Sequence, residues 1–277
     1  MARDLALRPH GVWLGTVFAR TLREQRRALL WWTLGVVGTV LMYAAIWPTI
    51  RQNAVDLNRY LDSFPDAMRN LIGSADFGTP DGYLQSELFS FVAPIVFLVY
   101  AIGAGARAIA GEEEAGSLDV LLSTPIRRRR VLVDTFGSMT LALLGLAFLL
   151  WASTLLLGRG FDMRADLAHL SAAALSTFLV ALVFGSLSLA VGCLTGSRST
   201  AIGVSSGLAV VTFLLNMFGP SVPALDRVRW ISPFFYYGGA EPMLHGLDPV
   251  HPVVLVGISL AALAVALVAF ERRDLAA

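Results

Sequence analysis

The chain has 277 residues, 56% of them hydrophobic and 15% charged, with a mean hydropathy of +0.68 and a formal net charge of +1. Soluble domains are about 45–50% apolar and about 25% charged, so this composition describes a membrane protein, with no bulk charge to draw it to nucleic acid. All 21 basic residues are Arg and the single Cys is Cys193, which excludes a phosphate-loop lysine, a Schiff-base lysine, an internal disulfide and a Cys-rich metal centre.

In chain order, Trp13, Leu14, Val17, Phe18 and Leu22 recur at helical spacing, with Arg20, Arg23, Arg26 and Arg27 on the remaining surface. The pattern predicts an amphipathic helix lying in the cytoplasmic interface. The first apolar run starts too late and is too long for a cleavable signal peptide. Six charge-free runs follow: 29–50, 88–106, 135–157, 170–195, 200–218 and 252–270. At about 1.5 Å per residue, each can cross a hydrocarbon core of about 30 Å as a helix. The expected fold is therefore an all-α polytopic membrane protein, a single domain of six spans over 1–277 with both termini on one side. Inner segments would carry 14 Arg and outer segments 7, which places both termini in the cytoplasm and the protein in the cell membrane.

Between the spans, Leu57, Tyr60, Leu61, Phe64, Met68, Leu71 and Ile72 follow a 3–4 spacing broken by Pro65, predicting two short helices on the outer mouth. The loop over 107–134 places Leu118, Leu121 and Leu122 on one helical face after Gly116 and Ser117, and Pro125 stops that helix at Thr124. So short a helix is marginal in water, and its leucine face needs a surface, either the membrane interface or a separate cytosolic protein. The segment 230–239 is aromatic, uncharged and broken by Pro and Gly, which suits a re-entrant outer element before the sixth span.

These segments together resemble the ABC type-2 permeases, the membrane subunits of ATP-driven exporters. The resemblance rests first on the acidic turn Glu112-Glu113-Glu114, then Gly116-Ser117-Leu118-Asp119, Leu121-Leu122, Thr124-Pro125 and the arginines from Arg127 to Arg130. It extends to Gly78-Thr79-Pro80-Asp81-Gly82-Tyr83, to Ile231-Ser232-Pro233-Phe234 and to the closing Phe270-Glu271-Arg272-Arg273-Asp274-Leu275. The resemblance implies that 112–127 is a coupling helix docking on a cytosolic ABC ATPase. It further implies two ATPase copies and a second permease, identical or homologous. ATP and magnesium would sit on the ATPase, leaving this chain without a cofactor or an enzymatic activity of its own. Family members export drugs, antibiotics, lipids or glycans.

Other patterns are weaker. Glu112 to Glu114 could set a docking angle or simply be a solvated turn, and 127–130 could meet the ATPase, anionic lipid or only fix topology. Gly203-Val204-Ser205-Ser206-Gly207 matches a serine-hydrolase elbow by letter, but it lies inside an apolar run with no base. His10, His169, His245 and His251 lack metal-ligand spacing. Ser205, Thr212 and Asn216 share a face of the fifth run and line either a substrate path or a helix contact. With no ionisable group in the runs, a proton-coupled carrier is disfavoured and an apolar or amphipathic cargo is expected. The rival readings are a membrane enzyme or assembly factor recruiting a partner through 112–130, and a passive channel.

Overall fold

The structure is a computed structural model that describes residues 26–64, 76–111, 114, 128–238 and 241–272. The interfacial helix expected over 13–22, and Met68, Leu71 and Ile72, lie outside them. The described residues form helices and turns with no strand. Six helices are long and apolar enough to cross a membrane. They are α1 (Arg26–Asp62), α2 (Pro80–Gly111), α3 (Arg128–Gly160), α4 (Leu167–Thr195), α5 (Arg198–Phe218) and α9 (Val250–Arg272). Three short helices lie between α5 and α9: α6 (Pro223–Asp226), α7 (Pro233–Gly238) and α8 (Pro242–His245).

The helix ends differ from the apolar runs for a physical reason. Hydropathy marks the slab of lipid, whereas a helix continues wherever its backbone stays paired. Thus α1 runs through Pro48 and on past Ile50 to Asp62, absorbing Leu57 and Tyr60 into the first span's own extension. At the next boundary Thr79 caps α2 by accepting from the Gly82 N–H (3.2 Å), and Pro80 occupies the first turn, where its missing N–H costs nothing. The second helix therefore begins eight residues before its charge-free run and includes Glu87; at its other end it includes Arg107.

Helix α4 is the axis of the bundle. Of its most apolar stretch 83% is buried within the protein, against 17% in α1, 22% in α5 and 28% in α9. Small residues let α2 approach it closely. A Cβ on Gly105 would stand 2.2 Å from the Gly185 carbonyl oxygen, and Ser188 Oγ donates to the Ile102 carbonyl at 2.9 Å. Asp166 starts α4 by accepting from the N–H groups of Ala168 (2.8 Å) and His169 (3.0 Å). Those bonds, that of His169 first, hold its carboxyl below the usual carboxylate range. Gly196, at φ 65°, ends the helix in the left-handed conformation that glycine adopts without strain.

Candidate functional site: the two ends of the bundle

At the end of the bundle where α2 and α4 begin, the residues of the Gly78–Tyr83 motif have separate tasks. Gly82 passes so near the chain that a Cβ would meet the Asp76 carbonyl oxygen at 2.2 Å. Asp81 accepts from the Asp166 N–H (3.0 Å) and pairs with His169 Nδ1 (3.5 Å), fastening α2 to the start of α4. Tyr83 is buried and donates to the Tyr43 carbonyl on α1 at 3.2 Å. Trp47 and Arg51 of α1 reach across to the turn between α3 and α4. The first donates to the Asp162 carbonyl (3.4 Å) and the second forms an ion pair with its carboxylate (2.8 Å).

The segment before the last span does re-enter the bundle. Phe234 packs its ring 5.5 Å from Phe184, a residue 17 positions into α4 and so about 26 Å along that helix at 1.5 Å per residue. Its other neighbour is Phe213 of α5, at 5.3 Å. Ser232 Oγ donates to the Thr212 carbonyl (2.8 Å) and accepts from the Phe234 N–H (3.1 Å), opening α7 with its own cap. Tyr237 is buried, lies 3.5 Å from Thr177 Oγ1 and donates to the Phe89 carbonyl. That last bond answers a local deficit. From Leu84 to Val92 the second span is wound as a π-helix, each N–H reaching back five residues, as Ala93 does to Leu88. The donor due to Phe89 would be residue 94, which is Pro94 and has none.

At the opposite end, where α2 ends and α5 begins, most of the sequence-derived coupling residues lie outside the described residues: Glu112, Glu113, Gly116, Ser117, Leu118, Asp119, Leu121, Leu122, Thr124, Pro125 and Arg127. Glu114 is described. Its carboxylate accepts from the Arg198 N–H at 2.9 Å, in the first turn of α5, where unpaired amides and the helix dipole favour an anion. Ser197 caps the same helix through the Thr200 N–H at 3.3 Å. Arg107 and Arg198 both pass within 4 Å of the point where a Cβ on Gly111 would sit. The acidic turn that leaves the second span is thus joined directly to the start of the fifth.

Ser205, Thr212 and Asn216 of α5 face inward. Ser205 and Thr212 are buried, and Thr212 Oγ1 donates to the Leu208 carbonyl at 2.7 Å. Asn216 is half-buried. The open side of α5 carries instead Gly203, Val204, Gly207, Val210 and Val211. Sequence reasoning stopped at the apolar run and missed that Glu87 lies within the second helix, although a Thr followed by Pro and Asp is a helix-start signature that would have placed it inside α2. Nothing in the sequence pointed to the pairing of Tyr237 with Phe89, which depends on a π-helical register.

No curated protein matches the chain significantly. The sequence does match the family model described as ABC-2 family transporter protein over residues 16–275. Family and fold agree on a multi-pass membrane component of an ABC transporter, and the chain belongs to the ABC-2 transporter family.

Proposed function

We propose that this permease is half of the membrane part of an ATP-driven exporter in the cell membrane. It works with a second permease copy or homologue and two cytosolic ABC ATPase subunits, on which ATP and magnesium are bound. The leucine face of Leu118, Leu121 and Leu122 docks on the ATPase, and Glu112, Glu113 and Arg127 set the charge around it. The cargo is hydrophobic or amphipathic, from the drug, antibiotic, lipid or glycan classes.

The observation that carries this reading is the contact of Glu114 with the Arg198 N–H. A docked helix can do work only if its movement reaches the spans. Here the turn leading into the leucine segment grips the first turn of α5, so a displacement of the turn pulls on the fifth span as well as on its own neighbours in sequence, α2 and α3.

The test is Leu122→Asp. Fully burying a Leu contributes about 1.5–3 kcal/mol, and an unpaired buried carboxylate costs more. At roughly 1.4 kcal/mol per factor of ten, docking should weaken about a hundredfold. Copurification of the ATPase and cargo-stimulated hydrolysis should both collapse, while Asp119→Asn, off the leucine face, stays near wild type. Normal association and transport by Leu122→Asp would remove the coupling role from this loop and favour a recruiting enzyme or assembly factor.

A further inference from the structure

Glu87 is a half-buried carboxylate on α2, seven residues in from Pro80 and immediately before the apolar run of that helix. No hydrogen bond or ion pair joins it to any described residue. A half-buried carboxylate without a partner is costly, so it persists where a ligand compensates it. Its surroundings are aromatic. Tyr83 precedes it by four residues, about one turn of the π-helix, and the Tyr83 ring meets Tyr43 edge to face at 6.1 Å, with Trp47 packed 5.3 Å from Tyr83. Tyr83 and Trp47 are fully buried, whereas Tyr43 is half-open.

The π-helix from Leu84 to Val92 aims this group. At about 4.4 residues per turn, Glu87 and Phe91 stand nearly in line, and the α-helical turns beyond continue the line through Ile95 and Val99. Ile95 is 55% and Val99 59% exposed, so the other described residues leave this side of the helix unfilled. Phe91 packs against Phe213 of α5 at 5.7 Å, and Tyr43 on α1 borders the Glu87 end through its contact with Tyr83. The result is an apolar track with one negative charge and an aromatic edge at its outer end. A neutral or anionic amphiphile gains nothing from that charge. A lipophilic cation neutralises it in a low-dielectric setting and adds contact with the face of a tyrosine.

From this geometry we propose that Glu87 and Tyr43 form a recognition site for the cationic head of a lipophilic organic cation, whose body lies along Phe91, Ile95 and Val99. The assignment rests on the exporter reading for its role in transport, and it narrows the cargo from amphipathic compounds in general to those bearing a positive charge.

The test is equilibrium binding, without ATP, of radiolabelled tetraphenylphosphonium to the full-length permease in lipid nanodiscs. Tetraphenylborate, an anion of the same shape, serves as the matched competitor. Wild type should bind the cation displaceably and be indifferent to the borate. Glu87→Gln should weaken cation binding about tenfold or more, and Glu87→Asp should recover much of it. Tyr43→Ala, which leaves the carboxylate in place, should weaken it by about threefold to tenfold, and it decides the matter if Glu87→Gln does not fold. The site is overturned if wild type fails to bind the cation, if it takes up the borate equally, or if Glu87→Gln binds as wild type. Loss of ATPase association is a separate outcome, since binding is read without the ATPase, and it would count against the exporter reading alone.

Discussion

At the scale of single residues, glycine positions decide how closely the bundle can close. A Cβ on Gly105 meets backbone, the Gly185 oxygen at 2.2 Å and the Leu189 nitrogen at 3.1 Å. A Cβ on Gly185 meets mostly the end of a flexible side chain, Met139 Sδ at 3.1 Å and Cε at 3.2 Å, beside Ala101 Cβ at 3.3 Å. Backbone held in two helices cannot step aside, whereas a methionine terminus can. Gly105→Ala should therefore destabilise the protein by about 1–3 kcal/mol or more, the range for overpacking, and Gly185→Ala by clearly less. Gly207, with nothing within 4 Å of its Cβ position, is the open control, where alanine should be neutral or slightly stabilising because it suits a helix better. Thermal unfolding midpoints of the three variants in one detergent rank them. Equal midpoints for Gly105→Ala and Gly207→Ala would contradict the close approach of α2 and α4.

At the scale of elements, the outer segment between α5 and α9 is held by hydrogen bonds that the helices themselves leave unfilled. The Phe89 carbonyl lacks a donor because of Pro94, and the Tyr237 hydroxyl supplies it. Tyr237→Phe removes that hydroxyl and leaves an orphaned carbonyl inside the bundle, at a cost of about 1–3 kcal/mol. The neighbouring Tyr236 is half-buried and meets His251 only by ring contact, at 5.5 Å. Tyr236→Phe should therefore leave the unfolding midpoint unchanged while Tyr237→Phe lowers it. If the two behave alike, α7 is not anchored through its hydroxyl. The same elements show what the sequence could and could not convey. Six spans were readable because lipid tolerates so few charges that the runs stand out by themselves. The ends of the helices were not, since residues 51–62 and 80–87 are polar yet continue helices whose backbone bonds are already made. The re-entrant character of 230–239 was readable from its aromatic, uncharged, Pro-broken composition. Its depth was not, because that follows from rings meeting across three helices. The coupling turn was legible as a pattern of residues, but its grip on α5 needed the fold to bring Glu114 beside Arg198, 84 residues away.

At the scale of the whole molecule, the orientation in the membrane is carried by arginines at the two ends of the bundle. On the side assigned to the outside, most are neutralised in place. Arg51 pairs with Asp162 at 2.8 Å, Arg59 with Asp56 at 3.0 Å, Arg164 with Asp162 at 3.7 Å and Arg229 with Asp226 at 3.6 Å. On the other side Arg107 and Arg198 crowd the same glycine, and Arg128, Arg129 and Arg130 open α3 in succession. Clustered arginine is what resists translocation, so this end should stay in the cytoplasm. Cysteine labelling tests the assignment directly. The native Cys193 is fully buried and should be silent to an impermeant thiol reagent, so it can remain. Asp76→Cys and Ser199→Cys each place a thiol at an exposed position, on opposite ends of the bundle. In intact cells the reagent should label position 76 and spare position 199, and permeabilised cells should show both. Labelling of 199 alone would invert the topology. It would then put Glu114 and its arginine neighbours outside, beyond the reach of any cytosolic ATPase, and the coupling role assigned to that turn could not stand.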